Sequence, residues 1–310
     1  MQELELTGIG YGTLEAIPIY HLMPGGTVLR LLLRTKYTLD LNCEWAEICW
    51  IDRLSSGRGF KLNVNRLPSL MASIFRTARA DTILIDGIDT LCLDILSTLK
   101  SLKSVSRALL AVRLHGSTDE CIDTLGDLEL EYVDYILFDY VAPISSSVVD
   151  LSDKQLRLLE WLIEKHKPLE VVAYVNDAKY EYLIPLIELL KSLDSTSTPM
   201  HIIIRNNELG VGISDLKNRL SKSLEYFYIH AGIYSELDTY CPKCRSPVAS
   251  RSPGVLRSIN VKEGRCPICG NSIPFRSLIY NRTPRHIITV TRGETRWYHP
   301  AERIPPGYSY

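Results

Sequence analysis

The sequence predicts an α/β fold made of repeated strand–helix units, followed by a small metal-binding segment. From about residue 28 to residue 232, short apolar and β-branched runs alternate with segments of helical period. These repeats lack a Rossmann-type glycine loop, which favours a partial or complete (β/α) barrel over an open doubly wound sheet. Around residue 238 the alternation stops, and serine, proline, glycine and cysteine become frequent.

The predicted strands are short and continuously apolar, which suits strands that are buried on both faces. In chain order they are TVLRLLL (27–33), TILID (82–86), ALLAVRL (108–114), YILFDY (135–140), LEVVAYV (169–175), HIIIRN (201–206) and YFYIHAG (226–232). In a barrel or an open parallel sheet, functional residues lie at the carboxyl ends of such strands.

Two of the predicted helices carry local signals. Ser152 and Gln155 resemble a capping box in the segment LSDKQLRLLEWLIEKH, whose apolar residues then share one helical face. The segment DAKYEYLIPLIELLKSL has the same period, and Pro185 within it predicts a kink.

The composition is that of an ordinary globular protein and excludes several classes of function. Of the 310 residues, 45% are hydrophobic and 23% are charged, which excludes a disordered chain. The formal net charge of -1 provides no global field for binding nucleic acid or a membrane surface. The amino terminus lacks a secretory pattern, and no apolar stretch approaches about 20 residues, so we expect a cytoplasmic protein.

The strongest motif is a pair of cysteine knuckles with the pattern CxxC-x21-CxxC. CPKC at 241–244 and CPIC at 266–269 predict that Cys241, Cys244, Cys266 and Cys269 bind one structural Zn²⁺. Eight cysteines are too few for a disulfide scaffold in a chain of this length, and an iron–sulfur or redox role is the alternative. A closed site of four thiolates stabilises a fold but leaves no coordination position for chemistry.

The segment after the knuckles is basic and aromatic. It contains six arginines (276, 282, 285, 292, 296 and 303), Trp297 and four tyrosines (280, 298, 308 and 310). Such residues can stack on and neutralise a nucleic acid, but we favour a solvated or barrel-docked extension. The predicted domains are therefore a barrel (1–237), a zinc ribbon (238–275) and a carboxy-terminal extension (276–310).

Two stretches resemble a known family, the AmmeMemoRadiSam-system radical SAM enzymes, which are relatives of the pyruvate formate-lyase activating enzymes. PIYHLMPGGTVL (18–29) is similar to the segment before the family's first barrel strand, with Tyr20 and His21 as packing residues. DTYCPKCRSPVASRSPGVLRSINVKEGRCPICGNSIPF (238–275) is similar to its carboxy-terminal ribbon. The resemblance covers about residues 16–275. It implies a radical SAM-type barrel, whose cofactors are a [4Fe–4S] cluster and S-adenosylmethionine (SAM).

The loop KYTLDLNCEWAEIC (36–49) lies where that family holds its cluster. Family members carry CxxxCxxC here, and the three ligand positions fall on Lys36, Asp40 and Cys43. A cluster that keeps one iron open for SAM needs three protein thiolates, and a lysine ammonium has no lone pair to offer. We therefore interpret Cys43 as the remnant of a cluster site. Asp40 is a substitute ligand in principle, and Cys49 is a spare sulfur at the wrong spacing.

Other positions implied by the resemblance have also changed. GIDT (87–90) corresponds to the family motif that contacts the SAM amino group, which assigns Gly87 and Asp89 to the remnant of that contact. LHG (114–116) keeps a glycine of the turn after the third strand, and LFDY (137–140) keeps Asp139 but has Tyr140 in place of a lysine. We therefore expect a retained barrel that has lost its radical-generating site.

Asp86, His115 and Asp139 fall at or just past carboxyl strand ends and are the candidate catalytic residues. A carboxylate and an imidazole in this position can act as acid and base or bind a metal. The same residues can instead cap helices or pair with cations at the barrel mouth. His230, at the end of the last strand, is open to the same two interpretations.

Together these patterns predict a degenerate radical SAM-superfamily protein that does not cleave SAM and acts as a binding or scaffolding partner. The family name implies protein partners of the Memo and AMMECR types. One alternative is an active radical SAM enzyme that holds its cluster with Cys43, Cys49 and Asp40. The other is a nucleic-acid-binding protein that uses the ribbon and the basic tail.

Overall fold

Strands and helices alternate through most of the chain in the computed structural model. The described residues are 3–33, 60–63, 66–77, 80–86, 95–105, 107–114, 131–141, 146–175, 178–204, 212–277, 287–291 and 294–298. Their strands are β1 (Glu3–Thr13), β2 (Thr27–Leu33), β3 (Phe60–Asn63), β4 (Thr82–Asp86), β5 (Leu109–Leu114), β6 (Tyr135–Val141), β7 (Leu169–Val175), β8 (Met200–Ile204), β9 (Phe227–His230), β10 (Thr239–Tyr240), β11 (Pro247–Ser252), β12 (Val255–Ile259), β13 (Ile287–Thr291) and β14 (Glu294–Tyr298). Their α-helices are α1 (Leu67–Thr77), α2 (Ile95–Val105), α3 (Ser146–Glu164), α4 (Ile184–Ser192) and α5 (Ile213–Ser223).

The chain divides into two compact units, and the boundary between them falls inside β6, after Leu137. Unit 1 comprises Met1–Gly12, Gly26–Leu137 and Pro284–Arg303. Unit 2 comprises Thr13–Gly25, Phe138–Thr283 and Ile304–Tyr310. The division into a barrel, a ribbon and an extension that the sequence suggested stays a prediction.

The sheet of unit 1 combines a parallel core with antiparallel strands. β2, β4 and β5 are neighbours and run parallel, so that Leu32 lies beside Asp86 and Asp86 beside Arg113. β1 pairs antiparallel with β3 and with β13, and β13 forms an antiparallel hairpin with β14. Part of the arginine-rich and tyrosine-rich tail is therefore a hairpin that extends this sheet.

The larger sheet of unit 2 is formed by the second half of β6 with β7, β8 and β9. β7, β8 and β9 run parallel, and their register aligns Val172 with His201 and His201 with Tyr228. All seven residues of β7 are buried, as expected for a strand covered on both faces. A second sheet, of β10, β11 and β12, is antiparallel and belongs to the ribbon.

The α/β class with parallel strands and the four-cysteine segment are confirmed. β2, β4 and β7 have the same bounds as the predicted runs, and the other predicted strands agree to within one or two residues at each end. Closure of the parallel strands into a barrel stays a prediction. Within the described ranges, no helix is both long enough and apolar enough to cross a membrane.

Two local predictions for helices were wrong. Ser152 and Gln155 do not begin a helix, because α3 begins at Ser146. Ser152 Oγ instead donates to Tyr140 Oη at 2.9 Å, and Gln155 Oε1 accepts from the Val141 backbone N–H at 2.9 Å. Both side chains thus satisfy polar groups at the end of β6, where an unpaired buried group would be costly.

Pro185 does not kink a helix. A 3-10 turn covers Tyr180–Leu183, and α4 begins at Ile184, so the proline occupies its first turn. At this position the missing N–H costs no helical hydrogen bond, and the fixed φ favours initiation.

A four-cysteine centre and a buried polar cluster

The four cysteines of the two knuckles come together in unit 2. Their Sγ atoms all lie within 4.8 Å of one another, with 3.5 Å between Cys241 and Cys269 and 3.6 Å between Cys244 and Cys266. Cys241 and Cys266 are buried, and the other two are partly exposed. Four sulfurs at these separations can surround one metal ion.

Each knuckle closes through a tight backbone turn. The Arg245 N–H donates to the Cys241 carbonyl, and the Gly270 N–H donates to the Cys266 carbonyl, both at 2.9 Å. Arg245 has φ 59° and Gly270 has φ 73°, so both turns use the left-handed region. Glycine enters that region without a steric cost, whereas arginine is strained there. The two knuckles therefore share one geometry built from different residues.

Ser246 adjusts the acidity of the thiols. Its Oγ lies 3.0 Å from Cys244 Sγ and 3.3 Å from Cys266 Sγ. A hydrogen bond from Ser246 lowers the pKa of Cys266 to about 6 and also lowers the pKa of Cys244. The Asn271 N–H acts to lower the pKa of Cys269, but burial and the neighbouring thiols outweigh it and raise that pKa to about 12. Metal binding needs all four sulfurs as thiolates. A cation at the centre would favour the thiolate form of each cysteine.

The ribbon has a very small apolar core, and the cysteines form part of it. Val248, Val261 and Ile273 are buried against Cys241 and Cys266. So few apolar side chains provide little hydrophobic stabilisation, which is the usual situation of a segment that depends on a bound metal.

The predicted catalytic carboxylates both have partners in the structure. In unit 1, Asp86 accepts from Arg30 Nε at 2.7 Å and lies 3.6 Å from Arg113 NH1. In unit 2, Asp139 is buried and accepts from Tyr174 Oη at 3.3 Å. The remaining predicted residues of the cluster, SAM and catalytic sites, namely Lys36, Asp40, Cys43, Cys49, Gly87, Asp89 and His115, lie outside the described residues.

A buried polar cluster, which sequence reasoning missed as a group, lies in unit 2. It consists of the half-buried His230 and of six buried residues, namely Tyr20, His21, Glu170, His201, Tyr228 and Arg251. Glu170 on β7 is fully buried and accepts from the Tyr20 N–H at 2.9 Å, from the His21 N–H at 2.8 Å and from His201 Nε2 at 2.7 Å. His201 Nδ1 lies 3.0 Å from His230 Nε2.

Arg251 of β11 ties the ribbon to this polar cluster. Its guanidinium lies 4.3 Å above the Tyr20 ring, donates to the Tyr20 carbonyl at 3.1 Å and donates to Thr239 Oγ1 at 2.7 Å. Thr239 in turn lies 2.9 Å from Tyr228 Oη. A delocalised cation suits such a planar, partly apolar contact better than an ammonium does.

Burial keeps the imidazoles of the polar cluster neutral near pH 7. It lowers the pKa of His21 to about 3. Burial, followed by the charge of Arg251, lowers the pKa of His201 well below its usual value. Lost hydration, followed by the proximity of His201, does the same for the pKa of His230. Glu15 is also buried, and burial raises the pKa of its carboxyl.

Replacing Arg251 with methionine should cost unit 2 about 3 kcal/mol, because buried polar groups lose a charged partner that nothing else replaces. The measurement is the free energy of unfolding in denaturant. Arg257→Met is the control, since Arg257 lies exposed on β12 and contacts only Ser252 Oγ among the described hydrogen bonds. We expect the control to change stability by less than about 0.5 kcal/mol. Equal losses in the two variants would contradict a special role for Arg251.

The sequence did contain a signal for this cluster. Glu170 and His201 each stand inside an otherwise apolar run, and a buried strand tolerates such residues only when they have partners. The sequence could not show that these partners would be Tyr20, His21 and Arg251, which are distant in the chain.

Comparison with known proteins finds likeness only at the level of structure. SuiB from Streptococcus suis bound to S-adenosylmethionine aligns with a TM-score of 0.39 and 14% identity, over 53% of this chain and 43% of SuiB. SuiB bound to its precursor peptide SuiA aligns with a TM-score of 0.37 and 14% identity, over 52% and 41% of the two chains. No family model matches this chain, and no curated protein matches it. The chain thus spans less than half of SuiB, and likeness at this level assigns it neither a ligand nor an activity.

Proposed function

We propose that this protein is a degenerate relative of the radical SAM enzymes that binds or scaffolds a partner and does not cleave SAM. The observation that carries the proposal is the four-cysteine centre, whose sulfurs all lie within 4.8 Å of one another. Four thiolates close a tetrahedral site and leave no position for a substrate or for SAM. The metal centre therefore has a structural role.

Zinc is the ion that suits this centre. Thiolate ligands in a closed tetrahedron favour Zn²⁺ or an iron–sulfur centre over Mg²⁺, Ca²⁺ or Mn²⁺. The small apolar core of the ribbon agrees with a structural ion that supplies much of the folding free energy. Cys241, Cys244, Cys266 and Cys269 would hold it.

The candidate catalytic residues support a protein without radical chemistry. Asp86 and Asp139 are buried and engaged by Arg30 and Tyr174, which is the arrangement of carboxylates that hold neighbouring side chains in place. In the loop that resembles the family's cluster site, only Cys43 stands at a ligand position. One thiolate cannot hold a [4Fe–4S] cluster that needs three.

The decisive measurement is the content of zinc, iron and acid-labile sulfide in protein purified and reconstituted without oxygen. We expect about one zinc per chain, no sulfide and no broad absorption near 400 nm. Cys241→Ser should lose the zinc, and Cys43→Ala should keep it. About four irons and four sulfides that disappear in Cys43→Ala and persist in Cys241→Ser would overturn the proposal and make SAM cleavage the next assay.

The proposed partners are proteins of the Memo and AMMECR types, by association with the family that the sequence resembles. The test mixes the purified full chain with each candidate and measures the mass of the eluting species by size-exclusion chromatography with light scattering. A complex with either candidate would support the assignment. Elution of both candidates as separate proteins at micromolar concentration would remove it, without affecting the metal result.

A further inference from the structure

Unit 2 contains a cavity of about 360 Å³, lined by residues of α5, of β9 and of β10 in the ribbon. Every residue that lines it lies between positions 217 and 245, in a stretch of the chain that the structure describes without a gap. This volume falls within the range of cavities that hold small ligands, near its lower end. The cavity therefore has room for one compact group.

Four aromatic residues line the cavity, namely Tyr226, Phe227, Tyr228 and Tyr240. Tyr226 and Tyr228 are buried, whereas Tyr240 is 37% exposed, so aromatic surface is accessible to a ligand that enters from solvent. Among the described residues, the hydroxyl of Tyr226 has no hydrogen-bond partner, although Tyr226 is only 3% exposed. A hydroxyl can accept as well as donate, so a suitable ligand has an apolar body and a polar end that hydrogen-bonds to it.

Acidic groups outnumber basic groups around the cavity. Its lining includes the carboxylates of Glu225, Glu236 and Asp238 and the cations of Lys217 and Arg245. Lys217 is already engaged, because its Nζ donates to Glu236 Oε1 at 2.7 Å. The lining thus carries a net negative charge, which favours a cationic ligand over an anionic one.

The carboxyl end of α5 adds to this preference for a cation. Ser221 lies in the last turn of α5, and its backbone carbonyl accepts from Arg245 NH2 at 3.0 Å. Carbonyl groups at the end of a helix carry a partial negative charge and attract cations. Arg245 already places one guanidinium at this helix end.

A guanidinium is the cation that best suits an aromatic cavity with carboxylates. It stacks on rings and forms two parallel hydrogen bonds with a carboxylate, whereas an ammonium is a strongly hydrated point charge. Unit 2 contains this kind of contact elsewhere. The guanidinium of Arg251 lies 4.3 Å from the centre of the Tyr20 ring, and that of Arg219 lies 5.3 Å from the centre of the Tyr180 ring.

The segment that lines the cavity favours a protein ligand over a free small molecule. Of the four large apolar side chains that are exposed in the described part of the chain, three belong to Ile233, Tyr234 and Tyr240. They lie in the connection from β9 to the first knuckle, which also contributes Glu236 and Asp238 to the lining. Exposed apolar and aromatic residues near a polar site are typical of surfaces that bind proteins.

We propose that this cavity binds an arginine side chain of a partner protein, with its methylene groups against the aromatic residues and its guanidinium at the carboxylates. Glu236 and Asp238 are the expected charge partners, and Tyr226 Oη accepts a further hydrogen bond. The inference rests on the proposed binding or scaffolding role and names the chemistry that the partner presents.

The first test measures binding of N-acetyl-arginine amide to the full chain by saturation-transfer NMR. We expect saturable binding at millimolar concentration. The citrulline derivative has a similar shape without the charge and should bind about 10-fold more weakly, because charge-assisted hydrogen bonds are lost. The lysine derivative should also bind more weakly. No saturable binding of the arginine derivative, or equal binding of either analogue, would overturn the proposal and leave the tests of Memo-type and AMMECR-type partners unaffected.

The second test changes the charge of the cavity at Lys217, which is half exposed. Lys217→Gln should tighten binding of N-acetyl-arginine amide by up to about 5-fold, because it removes a like charge and releases Glu236 from its partner. Lys222→Gln is the matched control, since Lys222 lies exposed on the same helix, carries the same charge and does not line the cavity. Weaker binding by Lys217→Gln, or the same gain in both variants, would contradict a cation site.

The third test removes an aromatic ring. Tyr240→Ala should weaken binding of the same probe about 3-fold, as expected for loss of an exposed contact between a cation and a ring. Tyr234→Ala is the control, because Tyr234 has a similar exposure of 40% and does not line the cavity. Thermal unfolding curves establish that both variants are folded. Equal affinities of the two folded variants would remove Tyr240 from the site and contradict the aromatic contact.

Discussion

Replacement of Cys241 with serine should release the proposed structural metal and unfold the ribbon in the full-length protein. Binding of structural zinc contributes about 10–16 kcal/mol in small domains, which is comparable to the whole stability of most proteins. The few buried apolar residues beside the cysteines, such as Val248 and Ile273, cannot replace that contribution. Loss of the ribbon also removes Arg251 from Tyr20, so the damage should spread into the polar cluster.

The measurement combines zinc content with a thermal unfolding curve for the wild type and the variant, each with and without a chelator. Ile268→Ser is the matched control, because Ile268 lies between Cys266 and Cys269 and is 72% exposed. The control should keep its zinc and its melting temperature. A Cys241→Ser protein that unfolds at the same temperature as the wild type would show that the metal does not support the fold.

Acidification below about pH 6.5 should destabilise the wild-type chain, and His21 should account for a measurable part of that loss. Burial lowers the pKa of His21 to about 3 in the folded state, against about 6.5 in the unfolded chain. Between these values the unfolded state holds one more proton, so stability falls as the pH falls, by up to about 1.4 kcal/mol per pH unit. The lowered pKa of His201 also makes the stability fall as the pH falls. The raised pKa of Glu15 has the opposite effect on stability, but it involves one proton at most.

Comparison of the wild type with His21→Gln isolates the contribution of His21, because the two proteins share the same four-cysteine centre and differ only at position 21. The wild type should be the more stable protein near neutral pH, because His21 Nε2 lies 2.7 Å from Tyr228 Oη and its ring packs edge-on against Phe275. Its advantage should shrink steadily between about pH 6.5 and pH 4.5. A stability difference that is independent of pH would mean that His21 is protonated in the folded state.

The parallel strands could be predicted from the sequence because each is a continuous apolar run bounded by polar segments. The four-cysteine centre could be predicted because two CxxC pairs at this separation are typical of metal sites and rare elsewhere. β1 was missed, since its sequence, ELELTGIGYGT, mixes polar residues and glycine with few apolar ones. The hairpin of β13 and β14 was missed although β13, IITVT, consists wholly of β-branched residues, because the arginines and tyrosines around it favoured a solvated or docked extension.

The polar contacts were beyond sequence reasoning for a different reason. Ser152 and Gln155 have the spacing of a helix cap, but their side chains form hydrogen bonds with residues at the end of β6. Only tertiary packing brings the end of β6 close to them. Glu170 and Tyr20 meet across 150 positions of the chain. Local patterns report local hydrogen bonds, and the partners of a buried charge depend on the whole fold.

The hairpin of β13 and β14 also determines how the chain should behave at high concentration. It pairs with β1 at Ile9 and Gly10, and among the described strands β14, whose sequence contains Glu294 and Arg296, is the outermost strand of this sheet. An uncovered strand edge offers its N–H and C=O groups to another molecule, and charged residues on the outermost strand discourage such pairing. A shortened protein that lacks residues 284–303 would expose the edge of β1 and tend to aggregate by strand addition. Binding experiments with such a truncation would then measure assemblies instead of single chains.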